Sequence, residues 1–371
     1  MRGLYIHIPF CKHICSYCDF AKVVTFKIDK MKTYLDYLIK ELKSYQEEIK
    51  SVDTIFIGGG TPNALPDDFL EQLLSNVLEL TKNNQITEYS IECNPELVTD
   101  TQAAMFKKYG ITRVSLGAES FNDKILLKLG RHHKKEDIIN AVKIFKKHNL
   151  NNINVDLIFG HPYDTIDLVK ENLKDFYNLS IPHISYYSMI LEDKTIFKYL
   201  YDLKKIELPD EDIVADMYEY IMSDLKKHHY NQYEISNFAK DGYESLHNKI
   251  YWECDNYIGV GLAASGYLNN VRYTNSYNFD SYYKNIKEDE HKLSVFEAEQ
   301  EFMMLGFRLI KGVSKSRFKN KFNCEIEDVF KEKIDYLINK KLIEEKEDHY
   351  CLTHEGIMLG NEVFMEFVDE E

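Results

Sequence analysis

The sequence predicts an α/β protein: a partial (β/α)6 barrel followed by a smaller, mainly helical module resembling a winged helix. Three observations predict it. Short β-rich runs alternate with helical periods over residues 1–230, residues able to carry chemistry fall where those runs end, and the pattern changes beyond residue 230. Alternating units of this kind imply parallel strands joined by crossover helices. In such folds the working groups sit at the C-terminal ends of the strands.

Leu4–Phe10 is the first strand and ends in Pro9-Phe10 and a cysteine-rich loop. Asp29–Ile49 carries Met31, Tyr34, Leu35, Leu38 and Leu42 at helical spacing. Thr54–Ile57 is a second strand, broken by Gly58-Gly59-Gly60, and Pro66–Leu80 the next helix. Tyr89–Cys93, Arg113–Gly117, Asn152–Phe159 and His183–Ile190 complete six strands, with helices over Thr99–Tyr109, Glu136–His148, Thr165–Asn178 and Glu211–Lys227. Tyr230–Tyr283 is rich in Tyr, Asn and Gly and shows no clear helical period. From Glu297 the chain turns helical and closes on a hairpin over Lys341–Thr353. The expected division is a barrel over 1–230, a Tyr/Asn-rich segment over 231–296 and a helical module over 297–371.

The composition bounds the function. With 46 Lys and Arg against 61 Asp and Glu, the 371 residues carry a net charge of −15, which argues against a dedicated nucleic-acid binder. No apolar run approaches the roughly 18 residues a membrane span needs, so an integral membrane protein is not expected. The N-terminus lacks the apolar stretch of a signal peptide, and a cytoplasmic location follows as the expectation. Seven cysteines, an odd number in a chain this long, do not read as a disulfide framework. Cys93, Cys254, Cys324 and Cys351 are scattered, but Cys11, Cys15 and Cys18 share one loop.

That loop, Cys11-Lys12-His13-Ile14-Cys15-Ser16-Tyr17-Cys18, has the spacing C-x3-C-x2-C. Three thiolates so placed can ligate three irons of a four-iron, four-sulfur (4Fe–4S) cluster and leave the fourth iron open. Zinc is the alternative, with His7 or His13 as a fourth ligand. The triglycine serves equally as a tight turn, and without a following Gly-Lys-Ser/Thr it is no phosphate loop. Glu92 and Asp156 could cap helices, and Arg131 could end one in solvent.

The motif Tyr5-Ile6-His7-Ile8-Pro9-Phe10-Cys11 with C-x3-C-x2-C resembles the radical S-adenosylmethionine (SAM) superfamily, in its oxygen-independent coproporphyrinogen oxidase-like branch. Further matches are Ile55–Pro62, Glu92-Cys93-Asn94-Pro95-Glu96, Arg113–Gly117, Leu129-Gly130-Arg131, Asn154–Gly160 and Tyr233–Phe238. The resemblance implies a 4Fe–4S cluster on Cys11, Cys15 and Cys18. It also implies SAM, which one-electron reduction cleaves to methionine and a 5′-deoxyadenosyl radical. It assigns SAM contacts to Tyr5, Gly59, Gly60, Thr61 and Glu92, packs Tyr17 beside the cofactor, and places Glu119, Arg131 and Asp156 deeper in the same pocket. Glu119 stands where many relatives have Gln, His161 where Leu is more usual, and Ala264 where a histidine often precedes Ser265.

Within that branch two activities compete. One is coproporphyrinogen III dehydrogenation; the other is a haem chaperone, which binds haem as cargo. The dehydrogenases carry a further cysteine two residues after the third, where this chain has Phe20, and a longer segment before the first strand. Both differences favour the carrier, without dehydrogenase activity. His247-Asn248-Lys249-Ile250-Tyr251-Trp252 resembles the H-N-x-x-Y-W motif of the haem chaperones. It implies His247 as axial ligand, with Tyr251 and Trp252 as flat surface for the porphyrin. Cys254 is the alternative thiolate, and a surface histidine beside a packed aromatic pair the bland reading. The partners then implied are haem and haem-accepting proteins, membrane-bound respiratory enzymes among them.

Overall fold

A computed structural model describes residues 1–25 and 27–368. The six expected strands form in the expected order: Gly3–Ile8, Thr54–Gly59, Glu88–Cys93, Arg113–Glu119, Asn152–Phe159 and His183–Ser188. Each pairs in parallel with the next, and the crossover helices cover their outer side. Alternation along the strands sorts the side chains. Ile6, Ile8, Ile55, Ile57, Ile91, Val114, Leu116, Val155 and Leu157 are fully buried in the main core. The intervening Tyr5, Phe56, Glu92, Ser115, Asp156 and Ser185 line the lumen. Register brings these inward groups side by side: Tyr5 opposite Phe56, Glu92 opposite Ser115, and Asp156 opposite Ser185. Buried on both faces, such strands need apolar residues on one side and a filled or liganded lumen on the other.

Beyond residue 230, where the sequence shows no clear helical period, the chain forms further strands. Tyr257–Val260 adds to the sheet in parallel beside Gly3–Ile8. Ser265–Leu268, Val271–Asn275 and Lys287–Lys292 extend it antiparallel, while Asn237–Ala239 and Asn231–Gln232 extend the other edge. The result is an open sheet of twelve strands, with residues 231–292 woven into its two edges. The Glu41 carboxylate on the helix Ile28–Ser44 ties this segment down. It accepts from Gly261 N at 2.8 Å, Asn275 Nδ2 at 2.7 Å and the Tyr282 hydroxyl at 2.6 Å. The C-terminal module has its own core of Phe302, Met303, Phe307, Phe318, Phe330 and Phe367, under the small sheet of Val313–Ser314, Ile343–Lys346 and His349–Leu352. No described helix is long and apolar enough to cross a membrane.

The segment 246–252, without helical period in the sequence, is a short helix, and tertiary contacts hold it there. Its N-cap Ser245 accepts from Asn248 N, and the buried Glu88 carboxylate accepts from Leu246 N at 2.9 Å and His247 N at 3.0 Å. Ser245 and Ser90 hydroxyls complete the Glu88 shell at 3.3 and 3.2 Å. A strand residue thus satisfies the orphan donors of a helix start. Glu88→Ala strands those donors in the interior, and we expect a stability loss of about 2–3 kcal/mol in urea denaturation. Glu88→Gln, which keeps one acceptor oxygen, should lose less.

Candidate functional site

The first strand runs through Pro9 into Phe10–Cys11, which pairs with Val23–Val24 and closes the cysteine loop. The loop is clamped from outside. Ser16 N donates to the Leu129 carbonyl at 3.0 Å, and Phe197 N donates to the Ser16 carbonyl at 2.9 Å. Gly130, at φ 78°, permits the close approach, since a Cβ there would lie 3.2 Å from Ile14 O and Ser16 N. Cys11 is buried, Cys15 and Cys18 are half-buried, and all are free thiols. The Thr61 hydroxyl donates to Cys11 Sγ and Arg131 Nη1 to Cys15 Sγ, each at 3.5 Å, while Lys22 Nζ holds the Cys18 carbonyl. Burial pushes the Cys11 and Cys18 thiols up.

These thiols stand at one end of a cavity of about 950 Å³. Gly59 N donates to Glu92 Oε2 at 3.0 Å. A Cβ on Gly60 would lie 2.9 Å from Cys11 Sγ, and one on Gly58 2.9 Å from Glu92 Oε2. Burial, then the charge of Asp156, raises the Glu92 carboxyl to about 8; its side chain meets solvent only within the cavity. The Tyr5 hydroxyl meets His7 Nδ1 at 2.9 Å, and His7 Nε2 meets the Ala21 carbonyl at 2.8 Å. A carbonyl only accepts, so Nε2 carries the hydrogen and Tyr5 donates to Nδ1.

Deeper in, Asp156 accepts from Ser115 Oγ at 2.9 Å and Asn154 Nδ2 at 2.7 Å. Glu119 lies in a left-handed conformation, φ 61°, where the strand register shifts. The Tyr187 hydroxyl donates to its Oε2 at 3.0 Å. Burial raises both carboxyls, and Arg131 opposes that rise at Glu119. Arg131 is buried and also donates to the Gly117 carbonyl and to Asn94 Oδ1. Tyr17 lines the same wall. The structure therefore gathers Tyr5, Tyr17, Gly59, Gly60, Thr61, Glu92, Glu119, Arg131 and Asp156 around one space with the three thiols.

The far wall of that space holds the aromatic motif. Tyr251 and Trp252 line it together with Tyr257, Tyr267, Met304 and Leu305. The Arg308 guanidinium lies 4.4 Å over the Trp252 ring. His247 does not line the cavity. It is fully buried, with Nδ1 2.8 Å from the Thr54 hydroxyl and Nε2 2.8 Å from the Tyr251 hydroxyl, and Phe56 packs on its ring. Burial lowers its pKa to about 3, so the ring is neutral. Cys254 is buried too, donates to the Glu301 carbonyl at 3.5 Å, and is pushed up to about 12.

Residues 5–176 match the radical SAM superfamily and residues 296–359 the HemN C-terminal domain. The chain is 40% identical to heme chaperone HemW of Lactococcus lactis over 99% of this chain and 97% of that one. It is 37% identical to heme chaperone HemW of Bacillus subtilis, over the full length of both. The chain belongs to the HemW family of radical SAM proteins. The solved structure of coproporphyrinogen III oxidase, HemN, from Escherichia coli has the same fold, with a TM-score of 0.85 at 21% identity over 99% of this chain and 89% of that one.

The radical SAM cofactors fit this site. No trio of His, Cys, Asp or Glu among the described residues is gathered for a single metal ion, and the three thiols, soft ligands of the kind iron–sulfur clusters take, all line the one cavity. Gly60 leaves room where any side chain would strike Cys11, and Glu92 offers a buried carboxyl to a cationic ligand. Some of the wall was not anticipated from the sequence. Asn94 bridges Arg131 and Glu96, Tyr187 holds Glu119, and Asn154 joins Ser115 to Asp156. The inward direction of Tyr187 and Asn154 follows from strand parity, a signal available once register is known. Of the departures from relatives, Ala264 is buried and carries no cavity contact, although Ala263 and Ser265 do. His161 is buried, its Nδ1 accepting from Tyr163 N.

The raised carboxyl of Glu92 gives a pH signature in cofactor-free protein. Between about pH 4.5 and 8 the folded chain keeps a proton that the unfolded chain has released. Stability therefore falls as pH rises through that window, by at most about 1.4 kcal/mol per unit from this group. Urea titrations of parent and Glu92→Gln at pH 5, 6, 7 and 8 should show a shallower decline in the variant. Parallel declines would leave Glu92 ordinary.

Proposed function

We propose that this protein is a haem carrier of radical SAM architecture, which holds a 4Fe–4S cluster and SAM at the cavity mouth and passes haem to acceptor proteins. One observation carries the reading: a single cavity runs from Cys11, Cys15 and Cys18 to the aromatic wall of Tyr251, Trp252, Tyr257 and Tyr267. Flat aromatic surface with the adaptable side chains of Met304 and Leu305 suits a porphyrin face. The names of the Lactococcus and Bacillus relatives support it. Phe20, 64% exposed at the mouth, offers no thiolate there, which favours a carrier over a dehydrogenase.

When bound, cluster and SAM supply one-electron cleavage chemistry. The chain's own parts are to space and hold them. Gly59 and Gly60 keep the approach open, Glu92 and Asp156 face positive charge, and Thr61 and Arg131 steady two of the thiolates through hydrogen bonds. His247 is the proposed axial ligand of haem. Its ring must first leave Thr54 and Tyr251, so ligation is coupled to movement of the helix 246–252.

Replacing Cys11, Cys15 or Cys18 with Ala should abolish iron content and visible absorbance after anaerobic reconstitution, while Cys93→Ala and Cys351→Ala retain both. Stoichiometric zinc with no iron uptake would overturn this. For haem, His247→Ala should weaken binding and shift the Soret band without changing cluster content. Thr54→Val and Tyr251→Phe remove the competing hydrogen bonds yet keep the imidazole. If His247 ligates haem, they tighten binding; if it is only a core residue, they do not. SAM-dependent protoporphyrinogen formation from coproporphyrinogen would favour the dehydrogenase instead.

A further inference from the structure

Arg113 opens the strand Arg113–Glu119, so its side chain enters the lumen at the end away from the cysteine loop. It is only 3% exposed, and no described carboxylate pairs with it. Its Nη1 donates to Asn152 Oδ1 at 3.1 Å and to the Tyr243 carbonyl at 3.5 Å. Nε and Nη2 find no acceptor among the described residues. Unlike Arg131 Nε, neither atom is sealed off, and because Arg113 lines the lumen, the edge they form faces the cavity.

The oxygens around that edge are already taken. Asn154 turns its Nδ2 to Asp156, so its Oδ1 accepts from His183 Nδ1, at 2.6 Å. His183 Nε2 then accepts from the Tyr233 hydroxyl at 2.9 Å, and that hydroxyl accepts from Ser245 N at 3.1 Å. Burial, then the Arg113 charge, holds the His183 ring neutral. Asp156 feels the Arg113 charge too, but accepts from Ser115 and Asn154 instead. A buried cation without its anion is unfavourable. Nε and Nη2 also form an edge on which a guanidinium takes a carboxylate through two parallel hydrogen bonds.

The helix Leu246–Trp252 leads from this edge to the aromatic wall. Arg113 holds the Tyr243 carbonyl just ahead of it. Ser245, Asn248, Tyr251 and Trp252 all line the cavity, at the spacing of one helix face. The Asn248 side chain has no hydrogen-bond partner among the described residues, although its N–H is held by Ser245. Arg272, on the aromatic side of the cavity, is by contrast already occupied: Glu301 accepts from its Nε and Nη2 at 2.8 and 2.7 Å.

Resting on the carrier reading, we propose that the Nε–Nη2 edge of Arg113 binds a carboxylate of the cargo, one propionate of haem. A porphyrin lying on Tyr251 and Trp252 extends along the helix face toward Asn248 and Arg113. Glu92, Glu119 and Asp156 oppose an anion elsewhere in the lumen, so this open edge also fixes which way the cargo enters.

The test is spectrophotometric titration of reconstituted protein with haem and with haem dimethyl ester, which lacks the carboxylates. The parent should bind haem at least about tenfold more tightly than the ester, the worth of one charge-assisted pair. Arg113→Met should remove that preference by weakening haem alone, while Arg272→Met keeps it. Equal affinities in the parent overturn this inference and leave the carrier reading standing. So does a preference that survives in Arg113→Met. Binding of neither compound overturns the carrier reading, and this inference with it. If Arg113→Met does not fold, Arg113→Gln, whose amide can still donate to the Tyr243 carbonyl, decides instead.

Discussion

Buried carboxyls and guanidiniums face each other across one lumen, and much of the structure is arranged around that charge. Glu92, Glu119 and Asp156 all face inward, with Arg113 and Arg131 as buried cations among them. Carboxylates that close in a space of low polarity cannot all ionise without a partner. The chain meets this locally, through Gly59 N at Glu92, Ser115 and Asn154 at Asp156, and Tyr187 and Arg131 at Glu119. It leaves Glu92 with the weakest compensation, hence its carboxyl near 8. A cationic ligand in the cavity would reverse that shift and gain affinity from the same imbalance. Glu92, the least compensated of the three, is thus the carboxyl that a cationic ligand would favour.

That arrangement explains which parts of the fold could be read directly. The six barrel strands and their helices were legible because parallel strands buried on both faces are dense in Ile, Val and Leu, and their helices carry a clear apolar stripe. Residues 231–292 were not. Their strands flank the barrel strands on both sides and most are short, and their Tyr and Asn residues serve apolar and polar roles at once. Tyr282 and Tyr273 are core residues that also donate hydrogen bonds, to Glu41 and to the Gly259 carbonyl. The helix 246–252 owes its start to Glu88, more than 150 residues away in sequence, as its hydrogen bonds show. No local pattern carries that information.

The site divides in the same way. Cysteine spacing, the glycines and Glu92 are local signals at strand ends, and the structure brings them together. Glu119 was recognised as unusual in type, but the bulge that turns it inward at φ 61° has no signature in one sequence. At His247, closeness to Tyr251 and Trp252 in sequence did not fix which of them faces the cavity. Helical geometry puts positions i and i+4 on one face, and here Tyr251 uses that proximity to hold the imidazole. Trp252, one position on, lines the cavity beside Tyr251.

The buried position of His247 bears on what a carrier needs. A ligand waiting open in a pocket would bind haem with all its intrinsic affinity and release it slowly. Here two hydrogen bonds, to Thr54 and Tyr251, must break before the imidazole is free. At about 1 kcal/mol each they would subtract about 2 kcal/mol, near thirtyfold in affinity. On the proposed ligation the same two bonds would re-form as haem departs, and so would favour release as much as they oppose capture. Glu88 tightens the coupling, because its carboxylate holds the helix start at His247 N itself. A histidine held in this way suits cargo that must be surrendered, whereas a permanently bound prosthetic group would gain nothing from it.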